Sequence, residues 1–232
     1  MDKIFNKIIE DRMRVWDHDN SKKRVSISNK KPNPVITISR EYGAPGAALA
    51  AYMGEKIGFK VWDKEILGAI ADKLGRDQKF LESLDEVRRE AIEDMVFGFV
   101  QNINTNAKFI HTLQKVVITI EEHGNSIIVG RGANYICQQQ SSLHVRIVSP
   151  FKQRMAYIAD KEGISEEKAL SLIKKTDTER TEFIKYYFNK DVNKSSDYDL
   201  ILNAGSYDLD EMMQIIMNAY KIKTGKALKI LN

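Results

Sequence analysis

Three arginines of this chain stand where a cation could serve phosphate chemistry. Arg40 follows the β-branched run Val35-Ile36-Thr37-Ile38 and precedes a glycine turn; Arg131 lies between Gly130 and Gly132. Arg180 belongs to a charged stretch with Lys174, Lys175, Asp177, Lys185, Tyr186 and Tyr187. A phosphoryl group in transfer carries negative charge on its equatorial oxygens, so fixed cations and backbone N–H groups around it lower the barrier. The turn after Arg40 reads Gly43-Ala44-Pro45-Gly46-Ala47-Ala48 and joins a predicted strand to an alanine-rich predicted helix. In that layout main-chain amides and a helix N-terminus face an anion. A tight turn without a ligand is the simpler alternative for the glycines. Asp63, after the apolar Val61-Trp62, places a carboxylate at a second strand end, and Asn203-Ala204-Gly205 follows another. For the lysines of the charged stretch the simpler reading is a solvated helix face with i,i+3 and i,i+4 ion pairs, such as Asp177 with Arg180.

Hydrophobic patterning supplies the elements that must position these groups. Short apolar runs predict strands at 35–38, 59–62, 126–129, 143–148 and 198–202. Helical patterns cover 47–57, 64–74, 79–103 (broken near Arg89), 109–122, 150–162, 165–188 and 208–223. Ser165 ahead of Glu166 and Glu167 marks a helix start, and Asp208 with Glu211 has the form of a capping box. Strands apolar on both faces, alternating with helices, predict a three-layer α/β fold with a mostly parallel sheet. In such sheets ligands gather beyond the C-terminal strand ends, where the glycine turn, Asp63, Arg131 and Asn203 all fall.

Composition narrows the partners. The chain has 232 residues, enough for one α/β domain and a small appendage, and a mild formal charge of +4. That balance suits a small anionic ligand, and no dense basic tract interleaved with aromatics points to a nucleic-acid polymer. With Cys137 as the single cysteine, no internal disulfide can form, and a cytoplasmic setting and a packed thiol are expected. No apolar stretch is long enough for a membrane span. Residues 1–16 place Ile4, Phe5, Ile8, Ile9, Met13 and Trp16 at helical spacing among charges, an amphipathic helix for its own domain or for a homodimer. A polar linker ending Lys30-Lys31-Pro32-Asn33-Pro34 completes an N-terminal unit, 1–34, ahead of an α/β domain at 35–225.

At these residues the chain resembles the cytidylate kinase-like family, a branch of the P-loop nucleoside monophosphate kinases. The resemblance rests on Ile-Thr-Ile-Ser-Arg-Glu-Tyr-Gly (36–43), Trp-Asp-Lys-Glu-Ile (62–66), Ile-Ile-Val-Gly-Arg-Gly-Ala-Asn-Tyr-Ile (127–136), Asp-Thr-Glu-Arg (177–180) with Tyr186 and Tyr187, and Tyr-Asp-Leu-Ile-Leu-Asn (198–203). It implies ATP as phosphoryl donor, Mg²⁺, a CMP- or dCMP-like acceptor, and a helical lid at about 163–195. By the resemblance, Gly43, Ala44, Gly46, Ala47 and Ala48 hold the donor phosphates. Asp63, Arg131 and Arg154 fall on the acceptor side, and Arg180 is a lid cation. The chain also departs from the family's orthodox loop. Gly46 stands where a lysine is expected, Ala47 replaces the metal-binding hydroxyl, and Pro45 lacks an N–H. Arg40 is then the nearest replacement cation. Metal ligands are not assigned by the sequence, with Asp63 or Glu41 acting through water as the candidates. A kinase fold that binds nucleotide for regulation, without turnover, is the alternative.

Overall fold

The computed structural model describes residues 33–63, 110, 113–114, 116–118 and 120–231. The expected N-terminal helix, most of the linker, and the helices at 64–74 and 79–103 lie outside the described residues. So does most of the first half of the helix expected at 109–122, whose described positions are helical through His123.

The chain runs β1 (Val35–Arg40), α1 (Gly46–Ile57), β2 (Lys60–Trp62), β3 (Ser126–Val129), α2 (Ala133–Ile136), β4 (Ser142–Val148), α3 (Phe151–Glu162), α4 (Glu166–Phe188), β5 (Leu200–Asn203) and α5 (Leu209–Thr224). The strands form one five-stranded sheet in the order β2-β3-β1-β4-β5, with every pair parallel. The chain leaves β1 toward the β2 edge and leaves β4 toward the β5 edge. These neighbours therefore flank a topological switch point, where a crevice opens at the C-terminal ends.

Alternation along the strands builds the two faces. Ile36, Ile38, Ile127, Val129, Leu143, Val145 and Ile147 pack against Leu49, Met53 and Ile57 of α1 and Met212, Met213, Ile216 and Tyr220 of α5. Val35, Trp62 and Ile128 face the other way, onto Leu113, Val117 and Ile120, with Phe183 and Phe188 of α4 at the margin. Full burial of each such Ile or Leu contributes about 1.5–3 kcal/mol, which makes the sheet the rigid base of the domain.

Two strand boundaries differ from the expected ones by two residues. β1 does not stop at Ile38, because Ser39 and Arg40 stay in register with Arg146 and Ile147 of β4. β5 starts at Leu200 rather than Tyr198: Tyr198 closes a 3₁₀ turn over Ser195–Asp197, and its hydroxyl donates to Val192 O at 2.8 Å. The helix starts follow the expected chemistry. Ser165 Oγ accepts from Lys168 N, and Asp208 and Glu211 form the reciprocal capping box that opens α5.

Candidate functional site

Backbone amides come first. The glycine turn passes through Gly43 at φ +82°, and Ala44 N donates to Glu41 O at 3.2 Å. Pro45 is the N-cap of α1, and the first intrahelical bond runs from Leu49 N to Pro45 O at 2.8 Å. The N–H groups of Gly46, Ala47 and Ala48 are thus the first-turn donors that helix geometry leaves without an intrahelical partner. Ala47 and Ala48 are exposed, and none of residues 43–48 lines either of the two cavities described below.

Arg40 decides the character of this loop. Its aliphatic stem crosses Gly46 so closely that a Cβ there would lie 2.8 Å from Arg40 Cβ and 3.2 Å from Cγ. Its guanidinium lies against Gly130, where a side chain would overlap Nη1, and stands 3.9 Å from the Asp63 carboxylate. The volume into which a residue-46 side chain would start is filled by Arg40. Glycine at 46 leaves room for the Arg40 stem, which carries a cation from β1 toward Gly130 and Asp63.

The turn after β3 is wound tightly. Gly130, Arg131 and Gly132 all have positive φ, at 75°, 57° and 68°. For Arg131 the left-handed conformation costs about 1 kcal/mol or more, a strain of the kind stored at ligand sites. Arg40, Arg131 and Arg180 together line a cavity of about 80 Å³ with Ser39 and Glu179. The three arginines, far apart in the sequence, line this one cavity. Arg180 Nη1 also donates to Arg40 O at 3.3 Å, and its guanidinium carbon lies 5.3 Å from the Tyr42 ring centre.

Arg154 does something else. It is buried, Nη1 donates to Tyr42 O at 3.0 Å and to Asp177 Oδ2 at 2.6 Å, and Nε lies 3.5 Å from Glu41 Oε2. Asp177 Oδ1 accepts from Tyr42 N at 2.8 Å, and Glu41 Oε2 accepts from Ser149 N at 3.0 Å. Arg154 on α3 therefore fastens the glycine loop to α4 from beneath. The expected Asp177–Arg180 pair does not form, because the loop amide and Arg154 take both carboxylate oxygens while Arg180 turns to the Arg40 carbonyl.

A second cavity, about 490 Å³, lies on the β4 side and is lined by Arg40, Arg146, Arg180 and Lys185 among others. Arg146 was missed in the sequence reading. The available signal was a charged residue inside an otherwise apolar strand, Leu143-His144-Val145-Arg146-Ile147-Val148. Asn203-Ala204-Gly205 lines neither cavity; a Cβ on Gly205 would press on Pro150.

The donor set for Mg²⁺ is poor. Residue 47 has no hydroxyl, Glu41 is committed to Ser149 N and Arg154, and Asp63 stands beside Arg40. Among the described residues no group of three or more His, Cys, Asp or Glu side chains could hold a metal ion. Asp63 and Glu41 are two carboxylates of the described residues near the loop, and Mg²⁺ commonly binds through phosphate oxygens and water with only one or two carboxylates. Among the described residues no helix is long and apolar enough to cross a membrane.

Comparison with known proteins places the chain in a family. A cytidylate kinase from Archaeoglobus fulgidus is 26% identical over 193 residues, covering 81% of this chain and 95% of the relative. A 147-residue match at 21% identity joins 63% of this chain to a uronate isomerase of Corynebacterium glutamicum, of which it spans only 28%. In structure, a protein from Eubacterium ventriosum superimposes with a TM-score of 0.61 at 21% identity, covering 82% of this chain and 99% of that one, a likeness of fold. The profile of the cytidylate kinase-like family matches residues 35–206, which takes in the glycine loop, all five strands and α4. The chain belongs to the cytidylate kinase-like family.

Proposed function

We propose that the chain is an ATP-dependent phosphotransferase acting on a CMP- or dCMP-like nucleoside monophosphate. The observation that carries the reading is the Arg40 side chain, whose stem crosses Gly46 and whose guanidinium lies against Gly130, a cation beside a loop that lacks the family's lysine. In this reading the N–H groups from Gly43 to Ala48 hold the donor phosphates, with Gly46, Ala47 and Ala48 the main donors. Arg131 faces the acceptor phosphate, and Arg180 follows α4 as the lid at 163–195 closes over the site. Asp63 orients Arg40 from the acceptor side. Arg154 acts as a positioning residue through Glu41, Tyr42 and Asp177. An acceptor phosphate oxygen bonds to the γ-phosphorus while the bridging oxygen leaves with ADP. The arginines offset the charge that spreads over the equatorial oxygens. A cytoplasmic location is consistent with an ATP-using enzyme and a lone buried thiol.

The experiment is ADP formation across a panel of nucleoside monophosphates, with Arg40→Ala and Arg131→Ala as variants. Removing Arg40 is expected to lower kcat by about 10²–10³, the scale for losing one preorganised charge-stabilising group. No acceptor-dependent turnover from folded protein would overturn the proposal. Pro45, Gly46 and Ala47 favour a second reading, a regulatory protein that binds nucleotide without turnover. It predicts nucleotide-dependent thermal stabilisation with no ADP released.

A further inference from the structure

Among the described residues, Arg146 is a buried cation without a counter-charge. It is 6% exposed, and its hydrogen bonds go to neutral oxygens: Nη1 to Ser39 Oγ at 3.2 Å and Nη2 to Asn193 Oδ1 at 3.1 Å. The Tyr198 ring lies beneath it, with the guanidinium carbon 5.6 Å from the ring centre. Among the described residues no carboxylate lies within ion-pair distance of it. Two acids on the same cavity, Glu41 and Asp177, are held by Arg154, and Glu182 is on the exposed side of α4. A charged group taken out of water without an opposite charge is strongly disfavoured unless something else supplies that charge. Arg146 lines the cavity of about 490 Å³ that residues of β1, β4 and α4 border, where Arg40, Arg180 and Lys185 also stand.

We infer that Arg146 is an anion-binding residue that takes the phosphate chain of the donor nucleotide on the β4 side of Arg40. The inference rests on the phosphate-binding reading of this crevice and extends it to a residue that reading does not use. Cations spread over β1, β4 and α4 suit a chain of phosphates better than a single one. Arg146 pairs with Ser39 and Arg40 with Ile147, so the two side chains leave opposite faces of the sheet, and the cavity that both line is where one chain of phosphates can meet both. An orthodox loop gathers lysine, hydroxyl and metal at the helix N-terminus. Here the positive charge has moved sideways, onto the last residues of β1 and β4.

The test uses the full chain and inorganic tripolyphosphate, titrated calorimetrically without metal, with inorganic phosphate and CMP as separate arms. Arg146→Met is expected to weaken tripolyphosphate binding about tenfold or more, the scale for a charge-assisted hydrogen-bonding group. Binding of CMP is expected to change less than about twofold, since Arg146 lies away from the Arg131 side. Asn193→Ala removes a structural partner of Arg146 but not its charge, and is expected to leave tripolyphosphate affinity within about threefold. Melting of the unliganded Arg146→Met protein should be no lower than wild type, because an uncompensated charge has gone, while its tripolyphosphate-induced rise should be lost. Should Arg146→Met fail to fold, Arg146→Lys is expected to keep most of the binding and Arg146→Gln to lose it. Wild-type protein that ignores tripolyphosphate, or binds inorganic phosphate just as well, overturns the inference. So does wild-type affinity in Arg146→Met, equal affinity in the Lys and Gln variants, or an Asn193→Ala loss as large as that of Arg146→Met. Because the readout is binding, an absence of turnover would undo the kinase reading and leave this result standing.

Discussion

Gly46 and Arg40 should be thermodynamically coupled, and the coupling can be worked out from their geometry. A Cβ on residue 46 would lie 2.8 Å from Arg40 Cβ, 3.2 Å from Arg40 Cγ and 3.4 Å from Ile38 Cγ2. Carbon atoms settle about 3.5–4.0 Å apart, so two of these approaches are repulsive. Arg40 Cβ cannot swing aside, because β1 is held in register with Ile147 of β4. Overpacking of this kind costs about 1–3 kcal/mol. Alanine gains at most about 1 kcal/mol over glycine in a helix. Gly46→Ala should therefore destabilise the protein by about 1 kcal/mol net. In an Arg40→Gly background the clashing carbons are gone, and the same substitution should become neutral or stabilising. The expected coupling is about 1–2 kcal/mol, above the ~0.5 kcal/mol within which independent sites add. Urea unfolding followed by far-ultraviolet circular dichroism of the four proteins measures it. If Gly46→Ala changes stability equally in both backgrounds, Arg40 does not occupy the residue-46 volume, and the stand-in cation loses its basis. A positive result has a functional counterpart: Arg40→Gly with Gly46→Lys should recover tripolyphosphate binding that Arg40→Gly alone loses.

Three further outcomes follow from particular contacts. Arg154→Met leaves Asp177 and Glu41 without their partner beneath the loop. It should cost about 3 kcal/mol in urea unfolding and speed hydrogen exchange at Tyr42 N, and a change below ~0.5 kcal/mol would deny Arg154 its fastening role. His144 donates to or accepts from Thr37 Oγ1 at 2.8 Å, and burial pushes its pKa below the ordinary value of 6.5. The Asp199 carboxylate works against that shift and Lys223 reinforces it. The folded state thus resists protonation while the unfolded chain accepts it. Stability should be intact above about pH 6.5 and fall on acidification below it, and His144→Gln should flatten that slope. Cys137 is 2% exposed and burial raises its thiol pKa, so alkylation at pH 8 should keep pace with global unfolding. Rapid labelling of native protein would show an accessible thiol.

Much of the fold was readable along the chain because its signals are local. Short apolar runs marked all five described strands, and Ser165 and the Asp208–Glu211 pair marked helix starts. The glycine turn and the Gly130-Arg131-Gly132 corner could be assigned to strand ends on the same grounds. The strand expected at 35–38 was short at its end, and the one expected at 198–202 began two residues early and stopped one residue early. A strand's end depends on its neighbour's register, and Arg40 belongs to β1 only because Ile147 pairs with it.

Side-chain destinations were not local in the same way. From the helical spacing of Asp177 and Arg180 an ion pair is reasonable, yet Asp177 serves Arg154 and the Tyr42 amide, 135 residues away in sequence. Arg154 gives no sign in its own helix that it is a fastener. Arg146 reads as an oddity in an apolar strand until Ser39, Asn193 and Tyr198 are assembled around it. The order of amino acids thus decided the layers, the parallel sheet, the position of the crevice and the loss of the loop lysine, since each follows from neighbours within a few residues. Folding decided which arginine fills the vacated volume, which one fastens the loop and which one is left without a counter-charge. Charge is compensated by whatever lies within a few ångströms, and that neighbourhood exists only once distant strands and helices have packed.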